Sequence, residues 1–223
     1  MKAIFNDWGL IDYKESWEKQ QAIFDNVIQY KKEKTGDIPH RIIFCEHPHV
    51  YTLGRNGDAN NLLIQDEFLK SINATYYHID RGGDITYHGP GQIVGYPIID
   101  LEEANLSLKD YVFQMEQGII DTLLEYGLTA SRLQGATGVW LDVGTSNARK
   151  ICAIGIKASR YVTMHGFAFN INTNLDYFNY INPCGFVDKG VTSLSKELGK
   201  TIDFEEVKLL LKSKLYHTLK LEE

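Results

Sequence analysis

The side chain best suited to covalent chemistry is Cys184, in the run INPCGF. Pro183 before it and Gly185 after it predict a turn, which places a thiol on a loop that a ligand can reach. Cys45 in RIIFCEH and Cys152 in KICAIG sit in strand-like apolar runs, where cysteine serves as a small hydrophobe. A thiol needs a neighbour that favours the thiolate before it becomes a nucleophile. His88, His165 and the lysines are candidates, and the residues alone do not choose among them.

A second concentration of chemistry is RGGDITYHGPGQIVGYP at 81–97, with five glycines and two prolines beside Arg81, His88 and Gln92. Read as a loop between two strands, it can turn backbone N–H groups toward a carbonyl oxygen or a phosphate. It matches neither a Walker loop nor GxGxxG, which excludes the standard nucleotide motifs. An ordinary Gly/Pro turn is the bland alternative; a charged and a titratable side chain at its flanks favour a ligand site. His47 and His49 in EHPHV supply two imidazoles without a full ligand set, so no metal is expected. His165, between Met164 and Gly166, reads as structural.

These residues need a frame. Apolar residues at Trp17, Phe24, Val27 and Ile28 predict a helix between Lys14 and Lys34, with Gly36 as its C-cap. A second helix over 107–126 has Ser107 as cap, a stripe of Val112, Met115, Ile119 and Leu123, and Gly127 just past its end. Asp203 followed by Glu206 announces a third, with Val207, Leu210, Leu211 and Leu215 on a face expected to pack on a sheet. The runs RIIFCEH, VYTL, ATYYHI, IVGYPIIDL, GVWLDV, KICAIGIKA and YVTMHGFAFNIN are short and rich in β-branched and aromatic residues, and read as strands. They do not alternate regularly with helices, which predicts an α+β fold with a mixed, largely antiparallel sheet and flanking helices.

At 223 residues and 43% apolar, with no linker or repeat, the chain is read as one domain over 1–223. A net charge of −6 argues against nucleic-acid binding. Three cysteines without CxxC spacing argue for reduced thiols. No secretory h-region and no apolar run of membrane-spanning length is present, so a cytoplasmic protein without a membrane partner is expected.

The blocks EHPHVYTLGR, RGGDITYHGPGQIVGYP, GVW, KICAIGIK, HGFAFNIN, INPCG and VTSL, in this order, resemble the lipoyl(octanoyl) transferases of lipoate synthesis over most of the chain. The resemblance implies a fold similar to the biotin/lipoate protein ligase catalytic domain. It implies that Cys184 carries the acyl group and that Lys150 activates it. It places substrate binding at Arg81, Gly82, Gly83, Asp84, Ile85, Thr86, Tyr87 and His88, at Ala153, Ile154 and Gly155, and at Gly166, Phe167 and Ala168. Octanoyl-acyl carrier protein would be the donor. Lipoyl domains of 2-oxoacid dehydrogenases and the glycine cleavage H protein would be the acceptors of a monomeric enzyme without cofactor.

Within that reading, Tyr87, Ile154 and Phe167 are expected to line the acyl slot, and N–H groups near Gly82, Gly83 or Gly155 to stabilise an oxyanion. Partial burial is expected to lower the pKa of Lys150. Arg149, Lys150, Lys157 and Arg160 are expected to form a basic face for acidic carriers. An ATP-dependent lipoate or biotin ligase, which has no use for Cys184, and a carrier-binding module without turnover are the alternatives.

Overall fold

The computed structural model describes residues 1–33, 38, 40–182 and 190–223, so Gly36 and Cys184 lie outside the described residues. The chain opens with a strand that its composition hides. β1 (Ala3–Leu10) contains Asn6, Asp7 and Gly9, poor strand formers, yet pairs in parallel with β2 (His40–Glu46) after the crossover of α1 (Tyr13–Glu33). Asp12 starts α1 by accepting from the N–H groups of Lys14 and Glu15.

Strand β2 sets up the layers. Its Ile42 and Phe44 join one core, and Ile43 and Cys45 the other, so a strand with a period of two is buried on both faces. β6 (Gln92–Ile98) is antiparallel to β2, and β10 (Val162–Asn170) lies between β6 and β9 (Arg149–Ser159). β8 (Ala136–Leu141) and β7 (Ala130–Leu133) extend the sheet, giving the order β1-β2-β6-β10-β9-β8-β7. β11 (Gly190–Val191) pairs in parallel with the start of β9.

Phe24 and Val27 of α1 cover one face of this sheet. The other carries α3 (Leu108–Glu125) and α5 (Phe204–Thr218). Ser107 Oγ accepts from the Asp110 N–H, and Asp203 accepts from those of Glu205 and Glu206, as the caps predict. Met115, Ile119 and Leu123 are fully buried; each apolar side chain of that size contributes about 2 kcal/mol. The face of α5 is shared between sheet and helix rather than lying on the sheet alone. Leu215 sits so close over Gly118 of α3 that a Cβ at Gly118 would meet its Cδ2 at 2.8 Å.

The segment 81–97 is not one loop between two strands. Ile85–His88 is β5, antiparallel to β3 (Val50–Leu53), which also holds β4 (Thr75–His78) in a separate three-stranded sheet. Gly89, Pro90 and Gly91 turn the chain from this sheet into β6, with Gly91 at φ +79°. Two short helices, α2 (Asp66–Ser71) and α4 (Leu194–Leu198), complete the described elements together with single 3₁₀ turns. The α+β expectation holds, with the pairs mostly antiparallel and the strands divided between two sheets. Among the described residues no helix is long and apolar enough to cross a membrane.

Candidate active site

β8 pairs with β9 only from Arg149 to Cys152, which leaves residues 153–157 of β9 paired on one side alone, with β10. A cavity of about 1180 Å³ opens around that edge, where the Gly82 N–H takes the Ile156 carbonyl. Lys150 lies on its wall, half-buried, with Nζ 4.7 Å from the centre of the Trp140 ring. A charged amine over an indole face gains a cation–π contact. Gly138, at φ +124°, makes room for the β9 backbone: a Cβ there would lie 2.5 Å from the Cys152 carbonyl oxygen, and in ordinary contact, at 3.5 Å, with Cδ and Cε of Lys150.

Of the expected binding residues, Arg81 to Thr86, His88, Ala153, Ile154, Gly155, Gly166, Phe167 and Ala168 all line this cavity. Tyr87 does not. Tyr87 packs with Tyr51 and Ile85 in the core of the small sheet, stacked 4.9 Å from Tyr177 and hydrogen-bonded to His49 Nδ1 at 2.7 Å. It is a packing residue, not part of an acyl slot. Gly155 is small because residues 81–83 cross directly over it; a Cβ there would lie 2.7 Å from the Gly82 carbonyl oxygen. The Gly82 N–H is spent on the Ile156 carbonyl at 2.8 Å, so Gly82 is removed from the oxyanion donors.

The histidines separate by partner. His88 is buried, donates from Nδ1 to Gln92 Oε1 at 2.9 Å and stacks on Tyr13, and burial holds its pKa well below the ordinary value. His47 bonds the Ile11 carbonyl and the Tyr96 hydroxyl, whereas His49 stacks on Tyr177 at 4.1 Å, so the EHPHV pair points into different environments. His165 lines the cavity at φ +61°, a conformation that costs a histidine of order 1 kcal/mol. Its Nε2 donates to Asp80 at 2.9 Å, while the buried Nδ1 has no hydrogen-bond partner among the described residues. That bond, reinforced by Lys157, holds the Asp80 carboxyl well below the usual carboxylate range.

Two of the four residues of the expected basic face are neutralised by ion pairs. Arg149 pairs with Asp142 and, at 2.6 Å, with Glu197, and Lys157 pairs with Asp80 at 2.6 Å. Residues that pattern reading did not single out also line the cavity, among them Tyr13, Phe113, Glu116, Trp140 and Asn170. Glu116 was the visible signal, a carboxylate one position from Met115 in the apolar stripe of α3. Its oxygens accept from Gly138 N–H at 3.0 Å and Arg132 Nε at 2.9 Å.

Both ends of the undescribed segment 183–189 are anchored. The Asn182 N–H donates to the Asn61 carbonyl at 2.9 Å, and Asn61 in turn donates to Asp84 at 2.6 Å. On the far side, Val191 pairs with Lys150 itself.

The family model of the lipoyl protein ligase A/B catalytic domain matches residues 12–215. An octanoyltransferase of Bacteroides fragilis is 60% identical over 208 residues, covering 93% of this chain and 94% of the relative. One of Flavobacterium johnsoniae is 50% identical over 227 residues, covering 99% and 98%. In fold alone, the chain is similar to a bi-partite lipoate protein ligase from Thermoplasma acidophilum, with TM-score 0.72, 16% identity and coverage of 100% and 85%. It is also similar to a lipoate-protein ligase A bound with ATP, with TM-score 0.68, 15% identity and coverage of 99% and 86%. By sequence over nearly its whole length, the chain belongs to the octanoyltransferase family and carries the lipoyl protein ligase A/B catalytic domain.

Proposed function

We propose that this chain moves an octanoyl group from octanoyl-acyl carrier protein to a lysine of lipoyl domains, through a thioester on Cys184, with Lys150 as the proton partner of the thiol. The observation that carries this reading is the place of Lys150. It lies on the cavity wall and pairs with Val191, the second described residue after the segment that holds Cys184. Relatives at 50–60% identity bear the name octanoyltransferase.

The Cys184 thiol gives its proton to the Lys150 amine, and the resulting pair is a thiolate beside an ammonium that lies over the Trp140 ring. The thiolate attacks the donor's thioester carbonyl, and the carrier thiol leaves with the proton. The exchange is nearly isoenergetic and keeps the acyl group activated. The acceptor lysine, once it has lost its own ammonium proton, attacks the Cys184 thioester. An amide forms, the thiol is regenerated, and the kinetics are ping-pong. Gly83 supplies an N–H candidate for the oxyanion.

The hydrocarbon chain lies on the apolar side of the cavity, against Val112, Ile154 and Phe167. At about 0.8 kcal/mol per methylene, an eight-carbon chain gains roughly 5 kcal/mol there. The enzyme acts as one domain over 1–223 and as a cytoplasmic monomer. The acceptors are lipoyl domains of 2-oxoacid dehydrogenases and the glycine cleavage H protein.

Intact mass after mixing with octanoyl carrier protein, without ATP, tests the reading. Wild type gains one octanoyl mass and Cys184→Ser gains none. A requirement for ATP would instead support ligase chemistry and sink the proposal.

A further inference from the structure

A relay of buried hydrogen bonds runs from Arg81 to the strand beside Lys150. Arg81 Nη2 and Nε donate to Thr52 Oγ1 at 2.9 and 3.3 Å. With two donors on its oxygen, the Thr52 hydroxyl turns its own proton toward His88 Nε2, 3.4 Å away. His88 Nδ1 then holds the ring proton and donates it to Gln92 Oε1. Gln92 Nε2 donates to Asn170 Oδ1 at 2.8 Å and to the Tyr87 carbonyl at 3.1 Å, and Asn170 Nδ2 donates to the Thr192 carbonyl at 3.0 Å. A guanidinium only donates and a carbonyl only accepts. The two ends therefore fix the direction of every link between them, including the His88 tautomer and both amide orientations.

Thr192 connects the relay to the site. Its N–H donates to the Lys150 carbonyl at 2.9 Å, directly after Gly190 and Val191 pair with Arg149 and Lys150. A two-residue strand is too short to hold its own register, so a third anchor matters. We propose that Asn170, aimed by Gln92 and His88, is the positioning residue that registers residues 190–192 on Lys150. The inference rests on the role proposed above for Lys150.

The relay has a signature that packing lacks. In Gln92→Glu the introduced carboxylate accepts but cannot donate, so Asn170 must turn its amide nitrogen toward it and present an oxygen to the Thr192 carbonyl. Once protonated, the introduced carboxyl donates again and the original direction returns. Asn170→Asp fails and recovers by the same logic one link further on. The charged and titratable groups around these positions are His88, Arg81, His47 and His165, Glu46 on the Gly91 N–H, Glu197 on the Thr192 hydroxyl, and Lys150.

The test measures the rate of octanoyl uptake from octanoyl carrier protein by intact mass, for both variants and wild type, between about pH 6 and about pH 8. The variant-to-wild-type ratio is expected to fall by about 30-fold at the alkaline end, the effect of a buried polar group left unpaired, and to recover several-fold toward the acid end. Donor KM is expected to stay near wild type. Ratios that do not change with pH in both variants, or losses below about threefold, would overturn the relay while leaving the acylation of wild type intact. A wild-type chain that takes up no octanoyl would overturn the parent reading itself. Nitrogen NMR of wild type is independent of variant folding: His88 as the neutral Nδ1–H tautomer supports the relay, and the Nε2–H tautomer overturns it.

Discussion

The two sides of β9 are built by different physics. On the side of the small sheet, His88, Gln92 and Asn170 are placed by directional bonds between buried donors and acceptors. On the side of α3, Val112, Ile154 and Phe167 are placed by apolar contact with Met115, Ile119 and their neighbours. Hydrogen bonds fail abruptly, because an unpartnered buried group costs about 1–3 kcal/mol. Apolar packing fails in proportion to the volume removed. A site that must align a proton donor yet accept a flexible chain gains from having both.

The sharpest break is expected at Lys150. In Lys150→Met, acylation of Cys184 slows by roughly 10³-fold, the range of a lost proton-transfer partner, while thermal melting stays close to wild type. A rate within about tenfold of wild type would remove Lys150 from the chemistry and erase the contrast between the two sides.

Acid should destabilise the fold through its buried histidines. Burial pushes the pKa of His47 down to about 4, against 6.5 for a free imidazole, despite its bond to the Ile11 carbonyl. Between those values the unfolded chain binds a proton that the folded one refuses, so stability falls as the pH falls through this window, by about 3 kcal/mol over its full span. The depressed carboxyl of Asp80 adds its loss only below its unfolded value of 3.8. Urea midpoints at about pH 7 and about pH 4.5 check this. In His47→Gln the slope should flatten, and an unchanged slope would assign the acid sensitivity elsewhere.

The smallest effect is expected on the apolar side. Val112→Ala removes contact worth about 1 kcal/mol, so donor KM rises about fivefold with kcat unchanged. A fall in kcat at constant KM would mean that α3 helps to align the reacting groups, and the division between the sides would have to be redrawn.

Part of this was legible in the sequence because it is local. The caps Ser107 and Asp203 bond N–H groups within three residues, and the helical stripe of α3 falls where its period predicts. β5 was hidden because its partner β3 lies more than thirty positions earlier and its own residues sit in a Gly/Pro-rich run. Tyr87 was read toward the cavity for a related reason: the rings it packs against, Tyr51 and Tyr177, lie far from it in the chain.

What the sequence by itself determined is the set of chemical groups and the family they belong to, since ordered blocks such as RGGDITYHGPG and INPCG are contiguous. The tertiary structure alone decided their relations. Gln92 and Asn170 are 78 positions apart, Arg149 and Glu197 are 48, and neither pair leaves a periodic trace. The first link orients an amide toward the strand beside Lys150; the second neutralises an arginine that sequence reading offered to a partner. Direction and pairing are properties of space, and only the folded chain brings those groups within hydrogen-bonding distance.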